Sequence, residues 1–105
     1  MNKRILIVED EVRLAEALAQ IMAEQKYQVD QVHNGADGLD YALTAQYDVI
    51  VLDVMLPKLD GFGVCELIRR QSRVPIVLLT ALDGEAEQLR GFDLEIDDYI
   101  TKPFS

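Results

Sequence analysis

Short apolar runs alternate along the chain with segments whose apolar residues recur at helical spacing. The runs predict five strands, at residues 5–8, 27–32, 48–53, 74–79 and 98–101. The spaced segments predict four helices, at about 11–25, 34–44, 60–70 and 84–92. Strict alternation of strands and helices with short connections is typical of an α/β domain, in which right-handed crossovers join parallel strands.

The segment 48–53 is predicted to be the central strand of this sheet. Residues 49–52 are all apolar and three of them are β-branched, which is typical of a strand buried on both faces. The strand ends at Asp53. Ligand sites in open parallel sheets lie outside the carboxyl ends of the strands, so Asp53 is predicted to lie at the functional edge of the sheet.

Helical spacing also predicts which helix residues face the sheet. The residues expected to face inward are, in the first helix, Leu14, Ala17, Leu18, Ile21 and Met22 and, in the second, Leu39, Ala42 and Leu43. Asn34 and Asp60 directly precede helical segments, and their side chains are predicted to cap the second and third helices.

Composition restricts the class of protein. The chain has 105 residues, half of them hydrophobic, which is enough for one core, and we expect one domain over residues 1–105. The net charge of -9 argues against a nucleic-acid-binding surface and favours a cation, a basic partner or simple solubility. The single cysteine, Cys65, excludes an internal disulfide, fits a reducing compartment and is expected to be buried.

No segment is predicted to enter a membrane. The apolar run at residues 5–8 is shorter than the roughly 7 to 15 residues of a signal-peptide core, and no stretch approaches the roughly 20 apolar residues of a transmembrane helix. We therefore expect a cytoplasmic protein.

Polar residues follow the ends of four predicted strands; they are Glu9, Asp10, Asp53, Thr80 and Lys102. If the strand order is 2-1-3-4-5, the switch point lies between strands one and three, and Asp10 and Asp53 face each other with Glu9 beside them. A simpler interpretation is also open, because acidic residues at the start of a helix are stabilised by its macrodipole.

Carboxylates this close together repel one another, and one of them is expected to take up a proton unless a positive charge is present. Mg²⁺ suits such a site because it takes oxygen ligands and needs only one or two protein carboxylates, and Lys102 is a second source of charge. An Asp carboxylate can attack phosphorus to form an acyl phosphate, with Mg²⁺, Lys102 and the Thr80 hydroxyl stabilising the phosphoryl oxygens. Such a set of residues is suited to phosphoryl transfer to an Asp carboxylate.

Four motifs make the chain resemble the receiver domain of two-component response regulators over its whole length. They lie at residues 5–11, 52–62, 75–81 and 98–104. Around residues 56–57 and 102–105 the chain looks most like receivers of winged-helix (OmpR/PhoB-type) transcriptional regulators. The resemblance implies a flavodoxin-like, doubly wound, five-stranded parallel sheet. It also implies a signalling switch that assists its own phosphorylation and dephosphorylation and is not an enzyme.

The resemblance assigns a role to each site residue. Asp53 matches the phosphoacceptor, which takes its phosphoryl group from a phosphohistidine on a sensor histidine kinase. The residues that match Mg²⁺ ligands are Glu9, Asp10, Asp53 and Met55, the last through its main-chain carbonyl. Lys102 matches the residue that contacts the phosphate. Thr80 and Tyr99 match the switch pair. The peptide bond between Lys102 and Pro103 is expected to be cis.

The sequence differs from the family at its end, because the family's fifth helix does not follow Lys102-Pro103-Phe104-Ser105. We expect apolar surface of the sheet to be open unless a partner, a swapped segment or further chain covers it. A homodimer is therefore a candidate assembly. No DNA-binding domain is present in these residues, so any contact with DNA would be made by a separate effector domain.

Three other functions are weighed against this one. A flavodoxin needs a first loop that cradles phosphate, whereas residues 9–11 are all acidic. Phosphatases with an Asp nucleophile commonly carry a second Asp two residues later, where this chain has Met55. The third alternative is a receiver-like interaction module that works without phosphorylation, which Asp53→Asn would distinguish from a switch.

Overall fold

The computed structural model describes residues 3–54, 56, 61–80 and 98–101, and at Thr80 and residues 98–101 it describes the backbone alone. The elements in chain order are β1 Arg4–Val8, α1 Val12–Glu24, β2 Gln28–Val32, α2 Gly35–Thr44, β3 Val49–Asp53, α3 Gly61–Arg69, β4 Ile76–Thr80 and β5 Asp98–Thr101. The helix predicted at 84–92 lies outside the described residues.

The strands form one sheet in the order β2-β1-β3-β4-β5, and every neighbouring pair is parallel. This confirms the predicted α/β class and strand order. In the pairing of β1 with β3, Val8 lies opposite Leu52. The residues that follow them, Glu9 and Asp53, are therefore at the same level of the sheet, on either side of its switch point.

Strand β3 is covered on both faces of the sheet, as its apolar run predicts. Ile50 to Asp53 are buried and Val49 is half-buried. Because side chains alternate along a strand, Ile50 and Leu52 belong to the core shared with α2 and α3, while Val51 belongs to the core shared with α1. Two cores on opposite faces hold the end of β3 in place.

The inward face of α1 differs from the prediction. Ala15 and Leu18 are its buried residues, whereas Ala17 is exposed and Ile21 is 52% exposed. The inward stripe is thus centred on Ala15 and Leu18. The prediction counted Ala17 and Ile21 as core because apolar character alone does not locate the centre of a helix face.

Helix α2 follows its prediction more closely. Asn34 caps it, since the Asn34 side chain accepts a hydrogen bond from the Asp37 main-chain N–H at 2.8 Å. Ala42 is buried, but Leu43 is 36% exposed and the prediction was wrong there. The helix lies close to β1, because a Cβ atom on Gly38 would be 2.7 Å from a methyl group of Val8. The capping role of Asp60 lies outside the described residues.

Polar residues join β1 and β2 at the amino edge of the sheet. Arg4 forms an ion pair with Asp30 at 3.0 Å, and the Tyr47 hydroxyl donates a hydrogen bond to the same carboxylate at 2.7 Å. The Arg4 guanidinium lies 5.0 Å from the centre of the Tyr47 ring. Burial and the neighbouring Asp30 raise the pKa of Tyr47 well above its usual value. Tyr47 is therefore a neutral donor at physiological pH.

Cys65 is buried on α3, as expected, and burial raises the pKa of its thiol. Among the described residues, no helix is long and apolar enough to cross a membrane.

Candidate functional site

Three carboxylates meet at the carboxyl edge of the sheet. Glu9, Asp10 and Asp53 each offer an oxygen atom, and these atoms all lie within 4.8 Å of one another. Glu9 and Asp53 are 0% and 1% exposed, whereas Asp10 is exposed. We call these three residues the acidic cluster. The juxtaposition predicted from the strand order is confirmed.

Glu9 is held by several hydrogen bonds. Its main-chain N–H donates to the Val32 carbonyl at 3.1 Å, and its Oε2 accepts from the Glu11 main-chain N–H at 2.9 Å. Its own carbonyl lies 3.0 Å from Nδ1 of His33. The residue is therefore tied to the end of β2 as well as to the turn that enters α1.

The simpler interpretation, helix capping, accounts for only part of this arrangement. Glu11 is the N-cap of α1, but its side chain makes no capping hydrogen bond, and the first turn of the helix contains no acidic residue. Glu9 does accept one main-chain N–H at the start of the helix. Capping thus explains one oxygen of Glu9 and leaves Asp10 and Asp53 to be explained by other chemistry.

Gly61, the first residue of α3, packs against the main chain after β3. Its N–H donates to the Val54 carbonyl at 2.9 Å. A Cβ atom at this position would collide with the carbonyl oxygen of Asp53 and lie 2.6 Å from the Cα atom of Val54. Because both obstacles are backbone atoms, only glycine lets α3 begin this close to Asp53.

Comparison with known proteins agrees with this geometry. The pattern of the response regulator receiver domain matches residues 5–105. The chain belongs to the response regulator receiver family. The transcriptional regulatory protein DltR of Streptococcus agalactiae is 46% identical to it over 102 residues, which cover 96% of this chain and 46% of DltR. This receiver thus spans about half the length of the curated relatives it matches.

Solved structures show the same fold. The receiver domain of a sensor histidine kinase from Pseudomonas aeruginosa, with a magnesium ion coordinated in its active-site cleft, matches with a TM-score of 0.89 at 31% identity, covering 100% of this chain and 88% of that one. The response regulator DrrB of Thermotoga maritima, an OmpR/PhoB homolog, matches with a TM-score of 0.86 at 32% identity. The match covers 99% of this chain and 47% of the DrrB chain. The predicted likeness to OmpR/PhoB-type receivers is confirmed.

The other predicted site residues are described in part or not at all. Thr80 is the last residue of β4 and pairs with Thr101, and Tyr99 lies in β5 opposite Leu78. The backbone thus brings the predicted switch pair to adjacent strands. Met55, Lys102 and Pro103 lie outside the described residues, and the metal contact, the phosphate contact and the cis peptide assigned to them stay predictions.

The acidic cluster suits a hard cation. Its donors are all carboxylate oxygens, without the imidazole or thiolate ligands that softer metals prefer. Two of the three carboxylates are withdrawn from water, where like charges repel more strongly. A divalent cation that binds oxygen and keeps some of its water, as Mg²⁺ does, fits this donor set.

Sequence reasoning missed two residues of this region. Gly61 was noticed only as part of a motif, although a glycine at the first position of a helix is a signal of close backbone approach. His33, the single histidine of the chain, received no role. Its only sequence signal is its place directly after β2, and contact with Glu9 depends on the pairing of β1 with β2.

Proposed function

We propose that this receiver is a phosphorylation-dependent switch of a two-component phosphorelay, in which Asp53 accepts a phosphoryl group from a sensor histidine kinase. The observation that carries the proposal is the acidic cluster, with Asp53 buried at the end of the central strand and two further carboxylates within 4.8 Å. Membership of the receiver family supports the same role.

In the proposed reaction a carboxylate oxygen of Asp53 forms a bond to phosphorus as the phosphorus–nitrogen bond of the phosphohistidine breaks. The imidazole is the leaving group, and the product is an acyl phosphate on Asp53. β3 holds the nucleophile rigidly, because it is paired on both sides and buried on both faces. Such positioning lowers the entropic part of the barrier.

Mg²⁺, when bound, supplies positive charge that offsets the carboxylates and the phosphoryl oxygens. Glu9, Asp10 and Asp53 would hold it together with the main-chain carbonyl of Met55. Glu9 would act through water, and exposed Asp10 would bind directly. Lys102 and the Thr80 hydroxyl would contact the phosphoryl oxygens.

The switch itself would be a shift in the population of two conformations. Phosphorylation replaces about one negative charge by about two and adds acceptor oxygens, which would draw the Thr80 hydroxyl toward the phosphate. The Tyr99 ring would then turn inward. β4 and β5 are directly paired from Val77 to Thr80, so a change at the end of β4 has a short route to β5.

The output would be control of transcription by a longer protein. DltR, which is 46% identical to this receiver over 102 residues, is a transcriptional regulatory protein about twice as long. A separate effector domain would then contact DNA, and the receiver would meet its kinase in the cytoplasm. It would act as a signalling module and assist its own phosphorylation and dephosphorylation, without turning over a separate substrate.

Amide NMR spectra of the 105-residue chain test this proposal against the module that works without phosphorylation. With Mg²⁺ and a small-molecule phosphodonor, we expect the amide signals of Thr80 and residues 98–101 to move, as well as those next to Asp53. Asp53→Asn should show no such donor-dependent movement. Changes confined to the immediate neighbours of Asp53 would contradict a switch that reaches β5.

A further inference from the structure

His33 lies outside the acidic cluster but is bonded to its backbone. Nδ1 of His33 is 3.0 Å from the carbonyl oxygen of Glu9. A carbonyl oxygen can only accept a hydrogen bond, so Nδ1 carries the proton and donates. The ring is half-buried, and the contact joins the residue after β2 to the residue after β1.

The position of His33 is itself well fixed. Val32, the preceding residue, is buried and lies opposite Val8 in the pairing of β1 with β2. Asn34, the following residue, is the N-cap of α2 and bonds the Asp37 N–H. The imidazole therefore extends from a backbone anchored on both sides.

The bond from His33 fixes a peptide plane. The carbonyl of Glu9 and the N–H of Asp10 belong to one planar peptide group, so holding the carbonyl also orients the backbone of Asp10. The N–H of Glu9 is held as well, by the Val32 carbonyl at 3.1 Å. The end of β2 thus holds both peptide groups that flank Glu9, and these set the directions of the Glu9 and Asp10 side chains.

We infer that His33 is a positioning residue of the acidic cluster, whose Nδ1–H donor holds the Glu9–Asp10 peptide in the orientation that brings both carboxylates to Asp53. This inference rests on the proposed function, because it concerns the binding of Mg²⁺ by the cluster. His33 acts through the main chain of Glu9, and its role needs a hydrogen-bond donor at the place of Nδ1.

Two amide side chains distinguish this role from general packing. In His33→Asn the amide nitrogen is two bonds from Cβ, as Nδ1 is, and can donate to the Glu9 carbonyl. In His33→Gln the amide nitrogen is one bond further away, at the distance of Nε2. His33→Ala removes the ring and its Nδ1 donor together. The three variants therefore separate loss of the Nδ1 donor from loss of the ring.

The experiment is calorimetric titration of Mg²⁺ into the 105-residue chain and the three variants at one fixed pH, with urea unfolding in chelator measured in parallel. Loss of an outer-shell partner typically costs about 10- to 100-fold in metal affinity. We expect Mg²⁺ to bind about tenfold more weakly to His33→Ala and His33→Gln, and within about twofold of the unsubstituted chain to His33→Asn.

Each contrary result has a definite meaning. Unchanged Mg²⁺ affinity in His33→Ala, or equal weakening in His33→Asn and His33→Gln, overturns the inference while the proposed function stands. If His33→Ala is unfolded in chelator, the Mg²⁺ affinities of His33→Asn and His33→Gln are compared with each other, and equal weakening again overturns the inference. If the unsubstituted chain binds no Mg²⁺, the proposed function fails and the inference fails with it.

Discussion

Glu9 directly follows β1 and Asp53 ends the adjacent parallel strand β3, and their carboxylates approach within 4.8 Å while both residues are almost fully buried. Two like charges in such a place raise the free energy of the folded state. This destabilising pair of carboxylates lies at the switch point of the sheet, where ligands of doubly wound folds bind.

Mg²⁺ should stabilise the folded chain by mass action. At a free Mg²⁺ concentration ten times the dissociation constant, we expect a gain of about 1.4 kcal/mol in the free energy of unfolding. Thermal or urea unfolding at matched ionic strength, with Mg²⁺ or with Na⁺ alone, measures it. Glu9→Gln should reduce the gain. Glu66 is an exposed residue of α3 that pairs with Arg70, and Glu66→Gln should leave the gain unchanged. Equal gains in both variants would place the bound ion elsewhere.

Gly61→Ala should destabilise the chain and distort the site, because the new Cβ would meet the main chain of Asp53 and Val54. Overpacking of this kind costs about 1 to 3 kcal/mol, measured by urea unfolding. Gly38→Ala is the matched comparison, since its Cβ would meet side-chain atoms of Val8. It should cost less and leave Mg²⁺ affinity unchanged. A larger loss of Mg²⁺ affinity in Gly38→Ala than in Gly61→Ala would contradict this account.

Cys65 should make the folded state less stable at alkaline pH. Burial raises the pKa of its thiol above that of the unfolded chain, so the folded state binds the proton more tightly. The stabilisation is complete below the unfolded pKa of about 8.5 and is lost progressively above it. Urea unfolding between neutral pH and about pH 9.5, below the usual range of tyrosine, measures this slope. Cys65→Ala should flatten it, and an unchanged slope would assign the effect to other groups.

Tyr47→Phe should weaken the amino edge of the sheet without affecting the site. It removes the hydrogen bond to Asp30 at 2.7 Å and should cost about 1 kcal/mol in urea unfolding. The acidic cluster lies at the opposite edge, so Mg²⁺ affinity should stay within about twofold, well below the tenfold that corresponds to 1.4 kcal/mol. A tenfold loss would show that the two edges are coupled.

The central features of the fold could be predicted because local pattern determined them. The apolar residues of β3 indicated a strand covered on both faces, and its pairing places Asp53 at the carboxyl edge. The strand order then brought Glu9 and Asp10 to the same place. Parallel strands joined by right-handed crossovers allow few other arrangements, so little further information was needed.

Other features depended on contacts that a linear pattern does not contain. Ile21 is apolar and at helical spacing, yet it is 52% exposed, because the packing of α1 on the sheet determines which arc is buried. His33 contacts the main chain of Glu9, which is distant in sequence, and Gly61 packs against the main chain of Asp53 and Val54 across an intervening loop. Such roles follow from the register of paired strands and from the closeness of backbones, and both are tertiary properties.

The most direct test of the central claim is the intact mass of the 105-residue chain after incubation with a small-molecule phosphodonor, with Mg²⁺ or with chelator. The account predicts a gain of one phosphoryl group that requires Mg²⁺ and is absent in Asp53→Asn. Glu66→Gln is the control and should gain the group as the unsubstituted chain does. A chain that is folded, binds Mg²⁺ and still gains no phosphoryl group, or that gains it equally in Asp53→Asn, would contradict the assignment of Asp53 as phosphoacceptor.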